Sequence, residues 1–214
     1  MRITVFGAAG NAGSGIVTEA LSRGHRVTAV VRDPARFDRL PAAALHRTGD
    51  AADPGDTARL SAGQDVVVSA VRPAPGSEQD LVTATKSLLA GVAGTGARLL
   101  VVGGAGSLTV PGGNGRTVLD DPAWVPDAWR PIARASTDQF TVVRASGPDV
   151  DWTYVSPPAV LDHGERTGRY RLGGDELLVD AVGNSAISYE DFAVALLDET
   201  EHPRHRRSRF TVAY

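Results

Sequence analysis

The stretch that most restricts the fold is "RITVFGAAGNAGSGIVTEALSRG", residues 2–24. The apolar, β-branched run at 2–6 reads as a buried strand. Ile16, Val17, Ala20 and Leu21 then fall at helical spacing, and Gly24 stands where a helix C-terminal cap is expected. Between strand and helix lie Gly7, Gly10 and Gly13, one at every third position. A strand that turns through a glycine loop straight into a helix is the start of a βαβ unit, and the glycines have separate tasks in it. Gly7 permits the tight turn, Gly10 lets the backbone approach a pyrophosphate, and Gly13 lets the helix pack close to the strand. The free N–H groups of the helix start then face the phosphates. The spacing is G-x-x-G-x-x-G rather than G-x-G-x-x-G, and the flanking strand and helix give it meaning. Ala9, Asn11 and Ala12 belong to the same loop and are expected to touch the dinucleotide.

The rest of the chain repeats the alternation. Strands are expected at 26–32, 44–50, 65–71 and 98–107, with a short helix or turn at "DPARF" and helices in "PGDTARLSAG" and "GSEQDLVTATKSLLAGVAGTG" between them. Alternating strands and helices imply an α/β fold, a Rossmann-like, doubly wound parallel sheet with helices on both faces. Residues 108–131 are rich in Gly, Pro and Asp and are expected to form an active-site loop. A helix in "IARASTDQFTVVRASG" and a strand at 151–157 follow. Short strands are expected across 164–188, in a small C-terminal substrate lobe at 157–188, then a last helix and a terminal strand. All 214 residues are read as one domain.

Composition narrows the function. The formal net charge is −3, which gives no electrostatic case for nucleic acid or an anionic membrane as partner. Cysteine is absent, so thiol chemistry, disulfides and cysteine metal sites are excluded. His202 and His205 have no evident third ligand, and no metal is expected. No leader or membrane-spanning run is read, and the expected location is the cytoplasm. The sequence sets no oligomeric state. Lys86 is the only lysine. "HPRHRRSR" near the end reads as a solvated helix exit.

Several residues are candidates for the site. The second strand ends in Arg32 and Asp33. Arg32 can pair with a 2′-phosphate and favours NADP over NAD; Asp33 before Pro34 suits a helix N-cap. Asp50, followed by Ala51, ends the third strand, as an acceptor for the adenine amino group or as a turn residue. Ser69, Ala70 and Val71 end the fourth strand, and Gly103 and Gly104 follow the fifth; small side chains there leave room for a ribose and nicotinamide. Ser107 is the leading side-chain candidate for catalysis, by a hydrogen bond to the nicotinamide amide or the substrate, with local backbone bonding as the other reading. Trp124 and Trp129 could stack on a flat ring or anchor their loop.

These motifs resemble a known family. "GAAGNAG", "VVRDPARF", "VVVSAV", "VVGGAGSL", "DWTYVSPP", "GERTGRYRLG" and "AISYEDFAVALLDETEHP" make the chain similar, over nearly its whole length, to the atypical short-chain dehydrogenase/reductases. Within them it resembles the NAD(P)H-binding, NADH-flavin-reductase-like group that includes the biliverdin reductase B type of flavin reductase. The resemblance implies NADPH or NADH as cofactor, a small planar acceptor such as flavin or a quinone-like ring as substrate, and a segment Ser156-Pro157-Pro158 beside the nicotinamide. The sequence departs from the pattern in three places. The Tyr-x-x-x-Lys pair is missing, because Val82 lies four residues before Lys86. Ala159 stands where the biliverdin reductase B type has a histidine, and Ser107 is offset by one from its serine. His163 or Glu165 could replace that histidine as a proton donor. A flavin reductase needs little from the protein beyond bringing two rings together, since the cofactor carries the hydride. An NmrA-like regulator without turnover, and a biosynthetic reductase or isomerase, are the alternatives.

Overall fold

A computed structural model describes residues 1–214. Ten strands and five α-helices follow in chain order. They are β1 (Arg2–Phe6), α1 (Asn11–Ser22), β2 (Arg26–Val31), β3 (Leu45–Thr48), α2 (Pro54–Ser61), β4 (Val66–Ser69), α3 (Asp80–Val92) and β5 (Arg98–Val102). Then come α4 (Arg130–Arg144), β6 (Trp152–Ser156), β7 (Val160–Asp162), β8 (Arg171–Gly173), β9 (Ala186–Ser188), α5 (Tyr189–Glu201) and β10 (Ser208–Ala213). The strands end earlier than the apolar runs suggest: β4 stops at Ser69 and β5 at Val102, and the residues beyond them turn into loops.

Eight strands form one sheet in the order β3-β2-β1-β4-β5-β6-β10-β8. All neighbours are parallel except β8, which runs antiparallel to β10 at the edge. The chain winds outward from β1 in one direction through β2 and β3, and in the other through β4, β5 and β6. That reversal makes β1/β4 the switch point, where a doubly wound sheet opens a crevice at its C-terminal edge. The register aligns the edge: Phe6 pairs with Ser69, Ser69 with Val101, and Val102 with Val155.

Two apolar layers cover the sheet. On one face Ile16, Val17 and Ala20 of α1 and Phe192, Ala193 and Leu196 of α5 pack on Ile3, Val5, Val27, Ala29 and Phe210. On the other, Ala84, Leu88 and Val92 of α3 and Phe140 and Val143 of α4 pack on Val67, Leu99, Val101 and Tyr154. Strands buried on both faces explain why "VVVS" and "RLLVV" carry no alternation. The segment expected as a small C-terminal substrate lobe is tied to the body. β8 extends the main sheet, β7 pairs only with β9, and Asp191 at the start of α5 accepts from Thr167 Oγ1 (2.6 Å) and Gly168 N (2.7 Å). Burial alone would raise the Asp191 carboxyl, but these bonds and one from Tyr214 hold it below its ordinary range. The loop after β5 has its own small core of Leu108, Val118, Val125 and Leu177, and it ends where α4 begins at Arg130. No helix is long and apolar enough to cross a membrane.

Candidate active site

The glycine loop joins β1 to α1 at the switch point. Gly7 has φ +79°, a left-handed conformation that costs an L side chain energy, and a Cβ there would lie 2.4 Å from the Ala70 carbonyl oxygen. The ends of β1 and β4 therefore touch. A Cβ on Gly13 would lie 2.1 Å from the Gly7 carbonyl oxygen, so helix and loop also meet without room for a methyl. Gly10 is the N-cap of α1, has no side-chain hydrogen bond to offer, and the amides of Asn11, Ala12 and Gly13 have no protein acceptor. The starts at Pro34, Pro54 and Tyr189 differ: Asp33, Asp53 and Ser188 cap them. A helix start with free N–H groups suits an anion, and a Cβ-free cradle suits the close approach of a pyrophosphate.

Arg32 follows β2 at the same edge, exposed and without an ion pair. Asp33 is engaged, accepting from Ala35 N at 2.9 Å as the cap of the turn over Pro34–Arg39. Asp50 lies two residues beyond β3, and one of its oxygens accepts from Ala52 N at 2.9 Å in an Asx turn. The turn reading thus accounts for one oxygen and leaves the other without a partner. Ala51 is buried beneath it.

Gly103 and Gly104 continue β5. Gly103 lies over the Tyr154 ring, and Gly104 N donates to Tyr154 Oη at 3.3 Å. That hydroxyl donates in turn to the Ser136 carbonyl (2.9 Å), with Gln139 Oε1 at 3.2 Å. Burial raises the Tyr154 phenol well above its ordinary range, so it stays a neutral hydrogen-bonding strut. Sequence inspection passed over Tyr154, Ser136 and Gln139, which hold the glycine pair from beneath.

Other candidates fall in different surroundings. Ser69, Ser156, Pro157 and Pro158 are buried, and the Ser156 hydroxyl has no hydrogen-bond partner. Ala70 and Val71 are half-buried at the end of β4. His163 is 62% exposed, with Nδ1 3.4 Å from Glu190 Oε1 and its ring over Tyr189. It lines a polar groove of about 190 Å³ with Asn11, Ser14, Thr18, Glu19 and Arg166, between α1 and the segment after β7. Glu165 is exposed, and its carbonyl accepts from Ser188 Oγ. Trp124 packs against the small core of the loop, while Trp129 is 56% exposed with the Arg72 guanidinium 5.2 Å above its ring. The "HPRHRRSR" stretch is solvated only in part: His202, Pro203, Arg204, Arg206 and Arg207 are exposed, but His205 and Arg209 are not. His205 bonds to Glu199 in a buried cluster with Arg98, and Arg209 lies inside the fold because β10 carries it into the sheet. Arg209 Nη1 donates to Ser107 Oγ at 2.8 Å.

The sheet order, the switch-point glycine cradle and the free amides define a dinucleotide-binding α/β protein of the Rossmann type. The chain belongs to the NAD(P)H-binding family, which it matches over residues 7–203. It is 39% identical over 218 residues to YwnB of Bacillus subtilis, covering 99% of this chain and 98% of that one. Among solved structures it is similar to a Streptococcus pneumoniae protein provisionally described as an NADH-flavin reductase, at 34% identity, TM-score 0.89 and coverage of 100% and 99%. It is also similar to a Bacteroides thetaiotaomicron protein provisionally described as an epimerase, at 37% identity, TM-score 0.90 and coverage of 100% and 96%.

Proposed function

We propose that this chain is an NAD(P)H-dependent reductase, with NADPH favoured, that reduces a flavin or a quinone-like planar acceptor. The observation that carries the cofactor choice is the state of the β2 terminus. Arg32 is unpaired and open to solvent, whereas Asp33, the acid that would select a free ribose hydroxyl, is engaged as an N-cap. In this reading the amides of Asn11, Ala12 and Gly13 hold the pyrophosphate, with Ala9 and Gly10 as its floor. Arg32 binds the 2′-phosphate, and the free oxygen of Asp50, above Ala51, accepts from the adenine amino group. Ser69, Ala70, Val71, Gly103 and Gly104 leave space for the nicotinamide half, and Pro157 and the backbone of Ser156 close its far side.

When bound, the reduced nicotinamide supplies a hydride. The protein's part is to hold the two rings face to face and to keep water out. Trp124, Trp129 and Pro158 are assigned to the acceptor side. Ser107 is assigned a hydrogen bond to the acceptor, and His163 serves as the alternative proton donor. Support comes from the family, from the provisional flavin-reductase description of a 34% identical relative, and from a chemistry that needs no Tyr-x-x-x-Lys pair.

The test is steady-state oxidation of NADPH and NADH by the purified protein, with FMN, riboflavin and menadione as acceptors. Turnover that prefers NADPH supports the reading. Tight NADPH binding without turnover on any acceptor overturns it and moves the chain to a non-catalytic sensor or to another reaction on the same scaffold.

A further inference from the structure

Ser107 sits in the half-buried loop after β5, and its only hydrogen-bond partner is Arg209, 102 residues away in sequence. Arg209 is held on every side. Its side chain is 6% exposed, its Nε and Nη2 both donate to Asp175 Oδ1, and its guanidinium stacks 4.2 Å from the centre of the Phe140 ring. Asp175 itself is 79% exposed, on the turn after β8. The same turn is stitched to the Ser107 loop by Thr109 N donating to the Asp175 carbonyl at 2.9 Å. Distant segments thus converge on the guanidinium that holds this hydroxyl.

The chemistry of this contact has a direction. A guanidinium has donors and no acceptor, so the Ser107 oxygen must accept. A serine hydroxyl elsewhere turns to donate or accept as its neighbour requires; here the proton is left over and has no acceptor in the protein. A hydroxyl that accepts from a cation is also polarised toward donation. We propose that Arg209 is a positioning residue that fixes Ser107 as a one-way hydrogen-bond donor toward the electron acceptor. The class of acceptor follows: the ring must offer a carbonyl oxygen or an unprotonated ring nitrogen at its edge, as oxidised flavins and quinones do. This deepens the reductase reading and rests on it for the identity of the bound ring.

The experiment is a double-mutant cycle read by binding, so that it stands apart from turnover. Oxidised riboflavin is titrated, by its fluorescence quenching, into the NADP⁺-loaded protein and into Ser107→Ala, Arg209→Met and the double variant. One hydrogen bond predicts a five- to tenfold loss of affinity, roughly, in each single variant. The double variant should lose no more than either single one, and Arg209→Lys should recover part of the loss. Additive losses, or a loss in Arg209→Met that persists unchanged when Ser107 is already alanine, would show a merely structural arginine and overturn the proposal. If Arg209→Met does not fold, Arg209→Lys against Ser107→Ala closes the same cycle. Wild-type protein that binds riboflavin but never oxidises NADPH defeats the reductase reading while the cycle still decides the role of Arg209. Wild-type protein that binds neither riboflavin nor menadione overturns both.

Discussion

Replacing Gly10 with alanine separates the binding task of the glycine loop from its folding task. Gly10 has φ −86° and ψ 170°, an extended conformation that alanine adopts without strain. An added Cβ would meet only the Gly7 carbonyl oxygen, at 3.3 Å, a contact relieved by a shift of a few tenths of an ångström. Alanine also reduces the freedom of the unfolded chain, an effect of about 0.4–1 kcal/mol in favour of folding. The two small terms oppose each other, so stability should change by less than about 1 kcal/mol. The methyl nevertheless stands at the floor of the proposed pyrophosphate site, so NADPH affinity should fall at least about tenfold, or about 1.4 kcal/mol. Gly13→Ala is the contrast. Its Cβ would lie 2.1 Å from the Gly7 oxygen and 3.0 Å from Ala8 Cα, inside a rigid joint. Relief requires a backbone movement, and overpacking of this kind costs about 1–3 kcal/mol. Urea unfolding and NADPH titration of both variants form the assay. Wild-type NADPH affinity in Gly10→Ala, or a loss of binding that only tracks unfolding, would refute the reasoning.

Three other outcomes follow from the same structure. Arg32→Ala should weaken NADPH about tenfold or more while leaving NADH within about twofold, since a charge-assisted pair to one phosphate is what differs; equal losses for both nucleotides count against the 2′-phosphate role. Tyr154→Phe keeps the ring under Gly103 but strands Gly104 N, and should cost about 1–3 kcal/mol in urea unfolding. Burial would raise the Glu199 carboxyl, yet bonds from Arg98, His205 N and the His205 ring hold it below its ordinary value of 4.5. Its contribution is therefore fully present above that value and is lost as pH falls through the lower folded one. Glu199→Gln leaves Arg98 buried without its counter-charge, costs about 3–5 kcal/mol at neutral pH, and flattens the acid limb of the stability curve; an unchanged acid limb sinks this account.

The sheet was legible because doubly covered strands need unbroken apolar runs and the helices between them need caps. Asp33 caps the turn over Pro34–Arg39, as an acid before Pro34 leads one to expect, and Asp53 and Ser188 cap α2 and α5 in the same way. The cradle was legible for the same reason, since strand, loop and helix adjoin in sequence. What stayed hidden depends on contacts between distant segments. Tyr154 reads as one more apolar residue in "DWTYVSP", and only the approach of α4 gives its hydroxyl a task. Arg209 reads as the end of a solvated helix exit, because nothing local announces that the expected terminal strand enters the sheet between β6 and β8. Register slippage by one residue would have put it in solvent. The edge position of β8 was equally hidden, since a three-residue strand carries too little pattern to declare its partner.

The central claim is that the switch-point cradle binds a reduced nicotinamide dinucleotide for hydride delivery to a planar acceptor. The most direct measurement is the rate of loss of reduced-nicotinamide absorbance on mixing the purified protein with NADPH and FMN, with NADH in a parallel reaction. The account predicts saturable, protein-dependent oxidation with a higher kcat/KM for NADPH, the preference disappearing in Arg32→Ala. Saturable NADPH binding with no oxidation above the protein-free rate would contradict it.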